Sequence, residues 1–269
     1  MKVLFFGDVY GKAGRQTVQL TLPELKEEFQ PDFILANCEN LADGKGVTEK
    51  TLNQLFNAGV DVVTGGNHLW DRTESLEYIR SQNRIIKPLN YPEDAPGNPY
   101  IILAKENLRL GVLCLCGQLL MPPCNNPFTA LSEFIKLHFT KDAEQVSLFP
   151  LPYPVILDFH CEATSEKRAM GWFADGQLSA VLGTHTHIQT ADEEILPLGT
   201  AYITDIGMTG SHNSVIGVKK EIIIEKFRTS VPNRFESSDL GLQVNAVCLE
   251  LDSETGKALN IMRIRRNIE

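Results

Sequence analysis

Short apolar runs that stop abruptly at polar clusters recur through this chain. Residues 2–6 (KVLFF) halt at Gly7 and Asp8, and residues 32–36 (DFILA) halt at Asn37, Cys38, Glu39 and Asn40. Residues 60–64 (VDVVT) run into GGNHLWD, which carries Asn67 and His68. Residues 155–159 deliver His160, and 179–182 lead into GTHTH with His185 and His187. Runs of this length, rich in β-branched and aromatic residues, read as strands. Between the first three lie two helical patterns. One covers 15–29, interrupted or restarted at Pro23; the other covers 48–58, with Thr48 as cap and Gly59 as stop. Such βαβαβ order with short crossovers predicts a largely parallel sheet, whose carboxyl edge is where α/β proteins hold their ligands.

Later segments are less uniform. Residues 73–80 suit a helix, 85–97 form a proline-rich loop, and 100–104 with 108–115 read as an antiparallel pair turning at Glu106 and Asn107. From 117 to 152 only 128–139 shows helical spacing, and the role of that segment is not legible. Residues 167–174 are helix-like, 195–204 and 215–227 are mixed, and 244–251 with 258–264 form a closing hairpin around DSETG. The later strands are expected to assemble a second sheet packed on the first. The result is a single α/β domain over residues 1–269, two sheets inside and helices outside.

Composition narrows the class. With 269 residues, 43% hydrophobic and 22% charged, the chain can bury a full core without covalent staples. No apolar run is long enough to span a bilayer. The opening run breaks at Gly7 and Asp8, too early for a leader, and is taken as a first strand. Six cysteines show no CxxC spacing and several sit in strand-like runs, which favours free thiols in a reducing cytoplasm. A net charge of -9 speaks against broad contact with duplex nucleic acid, while leaving room for a small anion at a local positive site.

The chemistry lies at the strand ends. GDVYGKAG fails the phosphate-loop spacing, since Gly7 to Ala13 is one residue short and Ala13 follows Lys12 where Ser or Thr belongs. What remains is Asp8, Glu39, Asn40, Asn67, His160, His185 and His187, with His68 beside them. Four of the six histidines fall at predicted strand ends, an unusual placement for residues without a shared task. His185 and His187 could share one metal or reach one each of two, and Glu39 is the natural carboxylate bridge. Oxygen and imidazole donors without thiolate suit manganese, iron, cobalt or zinc and do not choose among them. Asp71, Glu162 and Asp205 are candidates to orient the imidazoles. His138, on an apolar helical run, reads as packed or surface-exposed.

At these residues the sequence resembles the calcineurin-like metallophosphoesterases, whose blocks run early Asp, second acidic block, GNH, lone His and G-H-x-H. It resembles most closely their YmdB-like bacterial branch, in the ordered runs GDVYG, ANCEN, GGNHLWD, DFHCEATSEK, GTHTHIQTAD and ITDIGMTG. The chain lacks the Asp-x-His of the wider superfamily, having Val9 and Tyr10 after Asp8, and carries Glu39 and Asn40 where an Asp is usual. The resemblance implies a four-layer α/β/β/α sandwich of two mixed sheets flanked by helices. It implies one metal on Asp8, Glu39, Asn40 and His187, and a second on Glu39, Asn67, His160 and His185, with iron or manganese favoured over zinc or cobalt. It also implies a homo-oligomer, dimer or tetramer, and 2',3'-cyclic nucleotides among the substrates.

Two divalent ions would outweigh Asp8, Glu39 and a bridging hydroxide by one positive charge, a local attraction for phosphate esters in an acidic protein. The expected reaction is phosphodiester hydrolysis by in-line attack of that hydroxide, with His68 protonating the departing alkoxide. Asn90, Tyr91 and His212 are expected as substrate walls. A phosphomonoesterase or nucleotidase uses the same clamp and is the near alternative. A non-catalytic regulator that binds a nucleotide or metal is the alternative from another class, and an oxidase is disfavoured because it gives GNH no role.

Overall fold

A computed structural model of the chain describes residues 1–139 and 148–268. The amino-terminal half builds β1 (Lys2–Phe6), β2 (Asp8–Val9), α1 (Gly11–Phe29), β3 (Phe33–Asn37), α2 (Glu49–Ala58), β4 (Val62–Thr64), α3 (Leu76–Ser81) and β5 (Ile85–Ile86). Then come β6 (Tyr100–Lys105), β7 (Leu108–Cys116), α4 (Pro127–His138), β8 (Val155–His160), α5 (Thr164–Ala174) and β9 (Ala180–Thr184). The chain closes with β10 (Glu194–Ile195), β11 (Ala201–Ile203), β12 (Met208–Ser211), α6 (Lys220–Thr229), β13 (Leu242–Leu251) and β14 (Ala258–Asn267). Residues 140–147, within the stretch that pattern left unassigned, lie outside the described residues.

Two mixed sheets result, with strand orders β2-β12-β13-β1-β3-β4-β5 (β14 on β13) and β10-β11-β9-β8-β7-β6. Each is buried on both faces. Val18, Leu22, Leu25 and Phe29 of α1, with Leu52 and Leu55 of α2, cover the outer face of the first sheet over Leu4, Phe6, Ile34 and Ala36. Val3, Phe5, Phe33 and Leu35 point the other way and meet Val112, Ile156, Leu182 and Ile203 of the second sheet. Leu131, Phe134 and Ile135 of α4 and Met170 of α5 close the fourth layer over Leu115, Leu157 and Phe159. Each buried aliphatic or aromatic side chain contributes about 1.5–3 kcal/mol, and strand alternation sends successive residues to opposite layers. This is the expected α/β/β/α sandwich.

Local signals explain most elements. Thr48 and Thr51 exchange hydrogen bonds in a capping box that starts α2, and Gly59 ends it at φ 111. Helix α1 begins four residues earlier than its pattern suggested and runs through Pro23 without a break. The carbonyl that Pro23 deprives of a donor belongs to the exposed Gln19, and the buried stripe of α1 outweighs a cost of about 3 kcal/mol. The ambiguous stretch 215–227 resolves into a loop and α6.

One expectation needs correcting. The second sheet is made of the middle strands, β6 to β11, and the closing hairpin returns to the first sheet, where β13 pairs antiparallel with β1 from Lys2↔Glu250 to Phe6↔Ala246. β1, β3 and β4 are mutually parallel, as are β7, β8, β9 and β11. Their carboxyl ends meet along one rim between the sheets. All six cysteines are free, and among the described residues no helix is long and apolar enough to cross a membrane.

Candidate metal centre

The rim collects the strand-end residues. Asp8 opens β2 and is fully buried; Gly7 before it lets the Gly207 carbonyl approach where a Cβ would collide. Glu39 and Asn40 follow β3, and the Asn40 amide donates to Gly44 O at 3.1 Å, turning its Oδ1 toward the site. His160 is the last residue of β8. His185 and His187 follow β9 with φ 98° and 66°, a left-handed backbone that non-glycine residues adopt at a cost of about 1–3 kcal/mol each and that clusters at working sites.

Two groups of donors form. Around His187, Nε2 lies 3.3 Å from Asp8 Oδ2 and 3.2 Å from Asn40 Oδ1. Around His160, Nε2 lies 3.2 Å from Glu39 Oε1 and 3.0 Å from His185 Nδ1, and donor atoms of Glu39, His160 and His185 all fall within 4.8 Å of one another. The His185 backbone N–H donates to Asp8 Oδ2 at 3.0 Å, tying the groups together. Glu39 Oε2 accepts the His68 N–H at 2.9 Å.

Both buried imidazoles are backed by acceptors that fix their tautomer. His187 Nδ1 donates to Ile216 O at 3.1 Å, and Ile216 itself has φ 46°, a strained value for a β-branched residue. The Asp158 carboxylate accepts from Thr184 Oγ1 at 2.6 Å, so that hydroxyl accepts from His160 Nδ1 at 2.8 Å. Asn37 Nδ2 also donates to Asp158, at 2.9 Å, as does Thr64 Oγ1. In each ring Nε2 is thereby the nitrogen left for a cation. Asp205 accepts from Thr186 N at 3.1 Å and Thr186 Oγ1 at 2.8 Å, and Lys167 Nζ pairs with it at 2.6 Å, which pins the loop carrying both histidines.

The electrostatics show competition for positive charge. Burial would raise the Glu39 carboxyl, but the charge and hydrogen bond of His160, helped by His68, carry it down to about 2. Burial would lower His160, yet Glu39, Asp8 and Asp158 push it up to about 9. Burial and the His160 charge drive His185 down to about 3. Asp8 is held below the usual carboxylate range because its bond to His187 outweighs burial, and His187 is raised by that same bond against its own burial. Burial holds the Asp158 carboxyl up at about 6 despite His160 and its three donors.

Divalent cations fit this donor set. Asp8 Oδ1 and Asn67 Oδ1 are buried oxygens without a hydrogen-bond partner among the described residues, each costing about 1–3 kcal/mol unless something electropositive meets it. With them stand one further carboxylate, an amide and three imidazoles, the hard and borderline donors that manganese, iron, cobalt and zinc accept. Gly66 keeps this space open, since a Cβ there would lie 2.5 Å from His160 Nε2 and closer still to Glu39 Oε2. A cavity of about 280 Å³ opens above the donors, its walls including Tyr10, His68, Glu162, His185 and Ile216. His68 Nδ1 lies 2.9 Å from Asp71 Oδ2, and Glu162 Oε2 lies 3.2 Å from His185 Nε2.

The expected substrate walls are placed elsewhere. Asn90 is buried and its side chain is spent on the backbone, donating to Cys116 O and Asn125 O at 2.8 Å and accepting from Cys116 N at 2.9 Å. His212 Nε2 lies 2.9 Å from Met208 O, and burial lowers the ring's pKa. Tyr91 stacks on Trp70 at 4.9 Å, with its hydroxyl buried and raised by burial and by nearby thiols. None of the three lines the cavity above the donors. The reading by pattern also missed Asp158, Thr184 and Lys167. Asp158 was visible in principle, because it stands two residues before His160 in VILDFH and so shares its face of the strand.

Two mixed sheets with outer helices, and carboxylates and imidazoles gathered at their shared rim, define a metallophosphoesterase-type fold. The chain belongs to the YmdB-like protein family, whose model matches residues 4–264. It is 42% identical over 267 residues to the 2',3'-cyclic-nucleotide 2'-phosphodiesterase of Bacillus subtilis, covering 99% of this chain and 97% of that protein. Among solved structures it is similar to a phosphatase of Mycoplasma pneumoniae, with TM-score 0.90 and 35% identity over 99% of this chain and 93% of that one. A hypothetical protein of Thermus thermophilus gives TM-score 0.88 and 36% identity over 99% of each chain.

Proposed function

We propose that the chain is a dinuclear-metal phosphodiesterase that hydrolyses small phosphate esters, 2',3'-cyclic nucleotides foremost. The observation that carries this reading is the division of the donors: Asp8, Asn40 and His187 on one side, Glu39, His160 and His185 on the other, joined by the bond from the His185 N–H to Asp8. Asp8, Glu39, Asn40 and His187 would hold one ion, and Glu39, Asn67, His160 and His185 the other. Two bound divalent ions supply positive charge against the nonbridging phosphate oxygens and acidify the attacking water. The donors accept iron, manganese, zinc or cobalt alike, and the preference for iron or manganese rests on the resemblance to the family.

This chain's own residues do the rest. The buried carboxylates of Asp8 and Glu39 stay ionised at neutral pH because His187 and His160 depress them. The loop from His185 to His187 is fixed by Asp205, so the imidazoles need not reorganise when substrate arrives. His68 lines the cavity with Nδ1 engaged by Asp71, which leaves Nε2 as the nitrogen that passes a proton to the departing ester oxygen. We place the enzyme in the cytoplasm on the strength of its six free thiols and acidic charge, as a single domain over residues 1–269; the resemblance to its family implies assembly into dimers or tetramers.

The test is His68→Ala with metal content followed alongside. Retained metal with cyclic-diester hydrolysis cut by about 10²-fold or more supports the assignment. Unchanged hydrolysis removes His68 from the chemistry. Faster turnover of a terminal monoester than of the diester in the wild-type protein would favour a phosphomonoesterase.

A further inference from the structure

A second cavity, of about 380 Å³, adjoins the first and is lined by Tyr10, Asp43, Lys45, Asp71, Arg72 and Phe235. Tyr10 and Gly44 belong to the walls of both cavities, which therefore lie side by side across these two residues. Tyr10 stands between the two cavities: its ring meets His187 edge-on at 5.6 Å, and its hydroxyl bonds to Ser237. Gly44, at φ 92°, packs directly against that ring, because a Cβ there would lie 2.6 Å from Tyr10 Cζ. Asp71 lies at the junction, since it belongs to this wall and holds His68.

From this adjacency and the Asp71–His68 contact we propose that the cavity between Tyr10 and Phe235 is a nucleoside subsite, in which the base of the ester stacks on Phe235. The proposal rests on the phosphodiesterase reading for its direction. In a 2',3'-cyclic diester, water adds to phosphorus, one P–O bond to the ribose breaks, and the departing oxygen takes the proton from His68. That oxygen remains on the sugar, so the nucleoside must lie on the His68 side, where Asp71 of the second cavity's wall meets the His68 ring.

The chemistry of the walls fits a neutral, flat group rather than a second phosphate. Lys45 and Arg72 are matched by Asp43 and Asp71, leaving no net charge. Arg72 also spends its donors on the loop, from Nε to Lys45 O at 3.2 Å and from Nη2 to Ala42 O at 3.0 Å. The Asp43 side chain is exposed and offers an acceptor for the amino edge of a base. Phe235 is 47% exposed, and Lys226 Nζ sits 4.6 Å from its ring centroid, which leaves an aromatic face for a π-system. Base–aromatic stacking tolerates any base, so the subsite distinguishes a nucleoside from a bare sugar more strongly than one base from another.

The experiment is equilibrium binding of adenosine, which has no phosphate, to the protein as purified and to its Phe235→Ala and Phe235→Trp variants, with methyl riboside as the base-free probe. The subsite predicts that adenosine binds at least 10-fold more tightly than the riboside. It also predicts that F235A loses about 10-fold for adenosine alone, that F235W restores it, and that metal content is equal in all three. Equal affinity for adenosine and riboside, or F235A within 2-fold of wild type, overturns the proposal. The two readings separate in hydrolysis. Wild-type protein that binds adenosine through Phe235 but leaves cyclic diesters intact keeps the subsite and loses the phosphodiesterase. Hydrolysis of base-free and base-bearing cyclic phosphates at the same KM, unaltered in F235A, does the reverse.

Discussion

An alanine at Gly66 adds one methyl group at the point where the donors are most crowded. Gly66 has no positive φ, so its backbone accepts alanine and crowding alone opposes the change. The added Cβ lies 2.5 Å from both Nε2 and Cδ2 of His160, and nearer still to Glu39 Oε2. Relaxed contacts begin near 3.5 Å, so the two side chains must retreat by about 1 Å. A displacement of that size at a reacting centre costs on the order of 10²-fold in rate, whereas overpacking one methyl costs the fold about 1–3 kcal/mol. The expected outcome is a protein that unfolds a few degrees lower, binds metal poorly and hydrolyses a cyclic diester about 10²-fold more slowly. Gly65→Ala is the control: its Cβ would press on Leu69 at 2.8 Å, so it should cost stability and spare metal content. Elemental analysis, turnover and thermal unfolding on the three proteins decide the matter. Wild-type metal and turnover in G66A would refute the reasoning that this glycine makes room for the donors.

Thr184→Val removes the hydroxyl between Asp158 and His160 while keeping its shape; metal affinity should fall 10- to 100-fold in a titration with Mn²⁺, and an unchanged affinity would deny Thr184 its orienting role. Lys167→Met leaves Asp205 as a buried charge without its cation, so urea unfolding should show a loss of about 3–5 kcal/mol, and a loss near zero would contradict the pairing. In the metal-free protein His160 is raised to about 9, so it is protonated at pH 7 and an incoming ion must displace that proton. Metal affinity should therefore climb as pH rises toward 9, and calorimetry in buffers of different protonation enthalpy should report proton release at pH 7; no release would be the contrary result.

What the sequence made legible was local. Asp8, Glu39, Asn40, Asn67, His68, His160, His185 and His187 were visible because each follows an apolar run, and parallel strands carry such residues to one edge. Thr48, Thr51 and Gly59 marked α2 through capping chemistry that needs only neighbours. What stayed hidden was non-local. Nothing near residue 244 announces that β13 will lie beside β1, 240 positions earlier, because antiparallel pairing is set by register and the core on both faces. Asp158 sat inside an apolar run and Lys167 in a charged run that reads as a solvated face, and their partners Thr184 and Asp205 come from other elements. The left-handed backbone of His185 and His187 is also beyond pattern, since the tertiary network around Asp205 and Ile216 imposes it. Asn90 shows the opposite failure: a polar residue in a proline-rich loop looked free for substrate, yet the backbone of β7 and of the loop before α4 consumes it.

In the proposed enzyme, residues from both sheets grip two cations and hydrolysis depends on them. Metal stoichiometry and 2',3'-cyclic nucleotide turnover should be measured together on protein that is stripped with chelator and then titrated with Mn²⁺ or Fe²⁺. The account predicts two ions per chain, with turnover abolished on stripping and regained only as the second ion binds, and one ion at most after Glu39→Ala. Full turnover by the stripped protein, or two ions still held by the Glu39→Ala variant, would contradict it.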